Sequence, residues 1–494
     1  MPEMHELFTI PEIVAAILLT DTFEYIMLQN CLLVSRLFSH EATRVLWERC
    51  GTSFSLSQGW LRNKVPTVHD LAKITAKDTA RGQYYANRIR QLRFVRDKED
   101  WAGVHEGGQW CDELLKLEFP LLEAFTSDSC ANEYPELGPM KTKSPFYTFD
   151  SSANNELFHH ILKSGPKLKA LDLIMDEPVD LDEPYHPFQS LEEEAIRFIN
   201  ATPILSSLSL PFTYRTGFEV PLNTWSPAIL SALGSLPSLH KLGGQILTSA
   251  SLSSLPPSSF PALRELDVKF SGPLSAVPLA FPNLELLKLE LQDPSTFGIG
   301  SLGALGKLEM LDITFVESEE NCFSASDLLA IAHGCPRLHT LNIPSSVTLM
   351  MENPCPVGDD ISDSTIEEMA SALPNLEQLC IGVENRDALT HEAIVSLAKH
   401  CPGLSYFSIT ADVNMRSLIS GLKELGEKPL SEMNFMRLYP PEECEHVYDN
   451  LPGLAEEFLE LAPGLCEFSI SEGESGRELA EMVEKLIGFP GSRG

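Results

Sequence analysis

The 494-residue chain has no C-x-x-C pair, no G-x-S-x-G, no H-E-x-x-H and no phosphate-binding P-loop, and it is short of positive charge, with 36 Lys and Arg against 70 Asp and Glu. Each shortage excludes something. Eleven cysteines, an odd number without the paired spacing, read as reduced thiols and not as a disulfide framework. The common hydrolase, zinc-protease and nucleotide-binding signatures are missing. A formal charge of −34 opposes nucleic acid and anionic membrane, so neither is expected as a partner. Long apolar runs are also lacking. The longest obvious one, Ile13 to Leu19, is far too short to span a bilayer. It follows Glu3, Glu6 and Glu12 where a secretory signal would carry basic residues, so a cytoplasmic and/or nuclear protein is expected. The sequon Asn200-Ala201-Thr202 then has no meaning.

What is abundant is a recurring phrase, Pro-x-Leu-x-x-Leu-x-(Leu/Ile/Val). It is most regular at Pro261-Ala-Leu263-Arg-Glu-Leu266-Asp-Val268 and Pro282-Asn-Leu284-Glu-Leu-Leu287-Lys-Leu289. Other copies begin at Pro166, Pro203, Pro336, Pro374, Pro402 and Pro463. With Pro237 and a substitute Gly306, successive copies from 166 to 402 lie 37, 34, 24, 21, 24, 30, 38 and 28 residues apart. Leucine-rich repeats run at about 20 to 29 residues, so the longer spacings imply inserted loops. A degraded copy is expected near Pro429-Leu430, and two degenerate strands at 89–94 and 122–125. The expected fold is α/β, an irregular leucine-rich-repeat solenoid with a curved parallel sheet and outer helices, because each unit can bury its leucines only against its neighbours.

The N-terminus stands outside this rhythm. Thr9-Ile10-Pro11-Glu12 has capping-box form with proline in the first turn, and Ile13, Val14, Ile17 and Leu18 then make one apolar face. Asp21-Thr22 can cap a second helix with Tyr25, Leu28 and Cys31, and a third runs through Val34, Leu37, Phe38, Ala42, Val45, Leu46 and Trp47. Three short helices make too small a core to stand securely alone, so their apolar surface meets something else. Residues 62 to 98 hold ten Lys or Arg against Asp70, Asp78 and Asp97. This basic collar reads either as a site for an acidic partner or as a solvated face.

Ile10-Pro11-Glu12-Ile13-Val14-x-x-Ile17-Leu18, Cys31-Leu-Leu-Val34-Ser35-Arg36-x-Phe38 and Ala42-Thr43-Arg44-Val45-Leu46-Trp47 together resemble the F-box of F-box/leucine-rich-repeat proteins. The family's usual opening Leu-Pro is Ile-Pro here. The resemblance implies a three-helix F-box over residues 1–50, a helical connector over 51–85 and a leucine-rich-repeat domain over 86–494. It also implies docking to a Skp-type adaptor, and through it to the cullin and RING subunits of an SCF ubiquitin ligase, while the repeats hold a protein substrate. Carried over by position, the adaptor-facing residues are Pro11, Ile13, Ile17, Leu18, Leu28, Cys31, Val34, Ser35 and Phe38. The same side chains could instead cap the open end of the repeats.

Side chains alternate along a strand, so the residues between the inward leucines face the concave side. The substrate-facing candidates are Asp172, Glu265, Asp267, Lys269, Lys288, Glu290, Asp312, Asn342 and Tyr406. The middle of the array is mostly acidic, which suits a basic protein substrate and equally suits a solvated charged face. Insertions at 126–156, 175–194 and 345–364 offer a second place for recognition.

Gly298-Ile-Gly300-Ser-Leu-Gly303 matches the dinucleotide fingerprint formally, but no βαβ unit surrounds it. His333-Gly-Cys335 and His400-Cys401 recur at one place in the repeat, just before Pro-x-Leu, where a small buried cysteine packs a core; packing is read there in preference to zinc. No catalytic set, cofactor or metal is expected. The leading reading is a substrate receptor that performs no bond chemistry itself; the alternative is an acidic leucine-rich-repeat scaffold or inhibitor, similar in logic to cytosolic ribonuclease inhibitor.

Overall fold

The computed structural model describes residues 14, 34–50, 66, 68–95, 109–128, 160, 167–174, 192–209, 225–292, 298–315, 323–343, 358, 360–381, 389–426, 429–439, 450–470 and 474–487. Contacts divide the chain into two compact units, residues 1–223 with 232–245, and residues 224–231 with 246–494.

The second unit shows why the repeated phrase folds as it does. Its strands are β7 (Glu265–Ser271), β8 (Leu286–Leu291), β9 (Met310–Phe315), β10 (Thr340–Ile343), β11 (Gln378–Ile381), β13 (Tyr406–Asp412), β14 (Phe435–Tyr439) and β15 (Glu467–Ile470), paired in that order and all parallel. A two-residue strand, β12 (Leu389–Thr390), pairs with β13 outside this path. Leu266, Leu287, Leu311, Leu341, Leu379, Phe407, Met436 and Phe468 lie opposite one another in consecutive strands, and all are buried. A slip of one residue would turn every member of this row outward, so burial of the row fixes the register. The carbonyl of the residue after each repeat's first leucine accepts two N–H groups from the next repeat. Arg264 O, for example, receives Glu285 N at 2.8 Å and Leu286 N at 2.9 Å.

Helices return the chain between strands. Ser324, Ser362 and Asn414 cap the N-termini of the helices Ala325–Gly334, Asp363–Ala372 and Met415–Glu424. Thr390 caps the helix His391–His400 and is itself bound by Asp363 of the preceding repeat, through its N–H at 2.9 Å and its hydroxyl at 2.7 Å. Four of these helices end on a buried residue, Cys335, Leu373, Cys401 or, after Leu451–Leu461, Ala462, and proline follows at 336, 374, 402 and 463. Proline cannot continue a helix, which explains why it opens each copy of the phrase.

The first unit is built on the same plan. Its strands β1 (Arg49–Cys50), β2 (Gln91–Val95), β3 (Ala124–Asp128), β4 (Ala170–Ile174), β5 (Ser207–Ser209) and the first part of β6 (Lys241–Thr248) pair in parallel. The degenerate strands expected at 89–94 and 122–125 are β2 and β3, and the degraded copy near Pro429 supplies β14 in the second unit. Helix α1 (Arg36–Glu48) runs directly into β1, which pairs with β2 through Arg49↔Gln91 and Cys50↔Leu92. The Trp47 ring stacks on Tyr85 of the helix Thr79–Ala86, with centroids 4.5 Å apart. Among the described residues no helix is long and apolar enough to cross a membrane.

Candidate partner-binding surfaces

The strand face opposite the buried leucines carries three rows of side chains in the second unit. The central row, fixed by register, is Asp267, Lys288, Asp312, Asn342, Cys380, Ser408, Arg437 and Ser469. Beside it runs Glu265, Leu286, Met310, Thr340, Gln378, Tyr406, Phe435 and Glu467. The third row places Lys269 opposite Glu290, and Glu290 opposite Thr314.

These positions differ in what they can offer. Asp267 is exposed, and Glu265, Lys288, Glu290, Asp312, Asn342 and Tyr406 are partly buried. Lys269 is 6% exposed and its ammonium lies 2.7 Å from the Glu290 carboxylate, so this pair is held within the sheet. Burial raises the Asp312 carboxyl above its ordinary range, with Asp267 adding to the rise and Lys288 and a hydrogen bond from Asn342 opposing it. The other end of that amide, Asn342 Oδ1, is buried without a hydrogen-bond partner. Burial also pushes the Cys380 thiol up to about 11 in spite of its hydrogen bond with Ser408. Asp172 belongs to β4, but its side chain lies outside the described residues.

Two residues of this face were not foreseen in the sequence. Phe435 stacks face to face on Tyr406, with centroids 4.4 Å apart and planes 2° from parallel. Arg437 lies over Phe435 at 5.0 Å and reaches Ser469 at 3.1 Å and Glu467 at 3.3 Å. Their signal is Leu430-x-x-Met433-x-x-Met436-x-Leu438, a copy of the phrase in which methionine replaces leucine twice.

A second surface lies at the N-terminal helix. Ser35 caps it, its hydroxyl accepting from Phe38 N at 3.3 Å. Phe38, Leu37, Val45 and Leu46 pack around buried Val14 and Ala42. Val34 stands 60% exposed at the opposite end from Trp47. Pro11, Ile13, Ile17, Leu18, Leu28, Cys31 and the Thr9–Glu12 capping box lie outside the described residues, as do most of the insertions at 126–156, 175–194 and 345–364.

Several described arginines of the basic collar have partners within the unit. Arg88 lies over the Tyr84 ring at 3.7 Å, Arg81 donates to the Tyr85 hydroxyl at 3.3 Å, and Arg90 pairs with Glu123 at 2.7 Å. Glu123 also meets Lys169 at 3.0 Å; that hydrogen bond, aided by Arg90, holds its carboxyl below the usual range.

The glycine motif and the cysteines have packing roles. Gly300 N donates to Asp327 Oδ1 at 2.7 Å, and the backbones of Gly303 and Gly334 meet where the 3-10 turn Ile299–Ala304 lies against the helix Ala325–Gly334. Cys335 and Cys401 are buried, their thiols donating to carbonyls of the preceding repeat at Leu302, Ala370 and Leu373.

Recurring buried leucines, parallel strands and return helices place the chain in the leucine-rich-repeat class of α/β folds. No protein-family model matches it, and no curated protein matches it either. Among solved structures, it is similar to yeast Rad7 in its complex with Elc1, over 87% of this chain and 96% of that one, at 14% identity and a TM-score of 0.38. The leucine-rich-repeat-containing protein LegL7 from Legionella pneumophila matches over 80% and 98%, at 12% identity and 0.26. The Arabidopsis receptor kinase HAESA, solved with the peptide hormone IDA and SERK1, matches over 55% and 42%, at 14% and 0.28.

Proposed function

We propose that this chain is the substrate-recognition subunit of an SCF-type cullin-RING ubiquitin ligase, its N-terminal helices docking a Skp-type adaptor and its repeats holding a protein substrate. The observation that carries this reading is the mounting of α1. One end is tied to the repeats by the β1–β2 pairing and the Trp47–Tyr85 stack, while the other presents an exposed Val34 beside the Ser35 cap. A handle fixed at its base and apolar at its tip suits helix-in-groove docking. The chain would then contribute proximity and no bond chemistry, holding a substrate lysine near ubiquitin carried elsewhere. The order of F-box-like segment, connector and repeats supports the same reading.

The alternative, an acidic scaffold or inhibitor whose N-terminal helices are only a cap, draws on the same Trp47 contact. Val34 separates the two because the fold makes little use of it. Purified full-length protein is titrated with a Skp-type adaptor, beside Val34→Asp. Binding lost in the variant at an unchanged unfolding temperature supports docking. No binding by folded wild type sinks the ligase reading and leaves the scaffold.

A further inference from the structure

The strand face of the second unit contains two features that ask for different chemistry. At β9 and β10 sit the Asp312 carboxylate and the buried, unpaired Asn342 Oδ1, both acceptors. The surrounding strands β7 to β9 add Glu265, Asp267 and Glu290 against Lys269 and Lys288, so the local charge is negative. Asn342 donates to Asp312 while its Oδ1 lacks a donor, a cost that a donor reaching that oxygen would relieve. A guanidinium or ammonium group answers both needs, being cationic and carrying several donors. At β13 and β14 sit Tyr406 and Phe435, half-buried and stacked on each other with Arg437 over Phe435, and beside them an aromatic or aliphatic side chain would find apolar contact.

The register sets their separation. From the Asp312–Asn342 pair to the Tyr406–Phe435 pair is three strand spacings across the sheet, about 14 Å, and two residues along it, about 7 Å. The diagonal is therefore about 16 Å. In an extended segment, residues i and i+4 point the same way and stand about 13 Å apart, and their side chains cover the remainder. A helix would bring i and i+4 within about 6 Å, so the four-residue spacing requires an extended segment.

We propose that this face captures an extended protein segment with an arginine or lysine seated at Asp312 and Asn342 and, four residues away, an aromatic or aliphatic residue seated on Tyr406 and Phe435. The inference deepens the substrate half of the proposed function, and it takes only the word substrate from that reading.

The test is selection of a randomised ten-residue peptide display library on the full chain in the absence of any adaptor, followed by affinity measurement on the most enriched synthetic peptide. The expected result is enrichment of a basic residue four positions from an apolar one. Affinity should fall about tenfold or more on Asp312→Asn, and likewise on Phe435→Ala, because each removes one anchor. Asp312→Asn preserves shape, and an unfolding temperature no lower than that of wild type shows that lost binding is not lost folding. No enrichment, enrichment without the basic–apolar spacing, or binding indifferent to both substitutions overturns the proposal. Since no adaptor is present, that failure is independent of whether the N-terminal handle docks.

Discussion

The backbone of Gly334 rests on the carbonyl oxygen of Gly303, and no β-carbon fits between them. Gly303 in turn faces the Ala330 carbonyl, so the 3-10 turn and the following helix meet backbone to backbone. Gly334→Ala should destabilise the protein by about 1–3 kcal/mol, as overpacking does. Gly403 is the control, with open space around it and no left-handed backbone, so Gly403→Ala should be neutral or stabilising by up to about 1 kcal/mol. Equilibrium urea unfolding of the two variants checks the contrast, and equal effects would contradict the packing role.

That contact also shows what could be read from sequence alone. Leu266, Leu287 and Leu311 announce their own burial by spacing, since a strand with one face buried must alternate. The glycine fingerprint could be dismissed for want of a βαβ unit, but its role could not be assigned, because the Gly334 that it meets is 31 residues beyond Gly303 in the chain. Tyr406 was legible as a face residue. Its partner Phe435 was not, because methionine at 433 and 436 obscured the strand register of the degraded copy expected near Pro429. Strand alternation likewise places Lys269 among the substrate-facing residues, whereas its burial in a pair with Glu290 depends on two strands meeting in one register.

The Trp47–Tyr85 stack gives a test of how α1 is anchored. Trp47 is 7% exposed, and truncating a buried aromatic costs about 3–5 kcal/mol. Trp47→Ala should raise hydrogen exchange across Arg36–Glu48 while the amides of β9 to β13 keep their protection, since stability in repeats is largely local. Uniform loss of protection in both segments would show a single cooperative core instead.

Cysteine labelling offers a direct probe of the repeat packing. Burial pushes Cys335 up to about 11 and Cys401 up to about 12, so almost no thiolate is present at mildly alkaline pH, whereas Cys466 is exposed. Among the described cysteines, iodoacetamide should modify Cys466 in the native protein and reach Cys335 and Cys401 only after denaturant is added. Peptide mass mapping reads the order, and early labelling of Cys401 would contradict its burial.

Asp312 predicts the sign of a pH effect. Its carboxyl is raised above the ordinary value of 3.8, chiefly by burial, so between that value and the folded one the native state binds more protons than the unfolded chain. Stability therefore falls as pH rises through this window, opposite to the behaviour of Glu123, whose lowered carboxyl contributes stability that is lost as pH falls. Asp312→Asn cannot ionise and keeps an oxygen to accept from Asn342. Its stability relative to wild type should increase as pH rises from 3.8 toward neutrality and level off above the folded value. Urea midpoints across that range measure the difference. A variant less stable than wild type at neutral pH would mean that the ionised carboxylate is already well satisfied by Lys288, leaving less reason for a cation to be drawn to it.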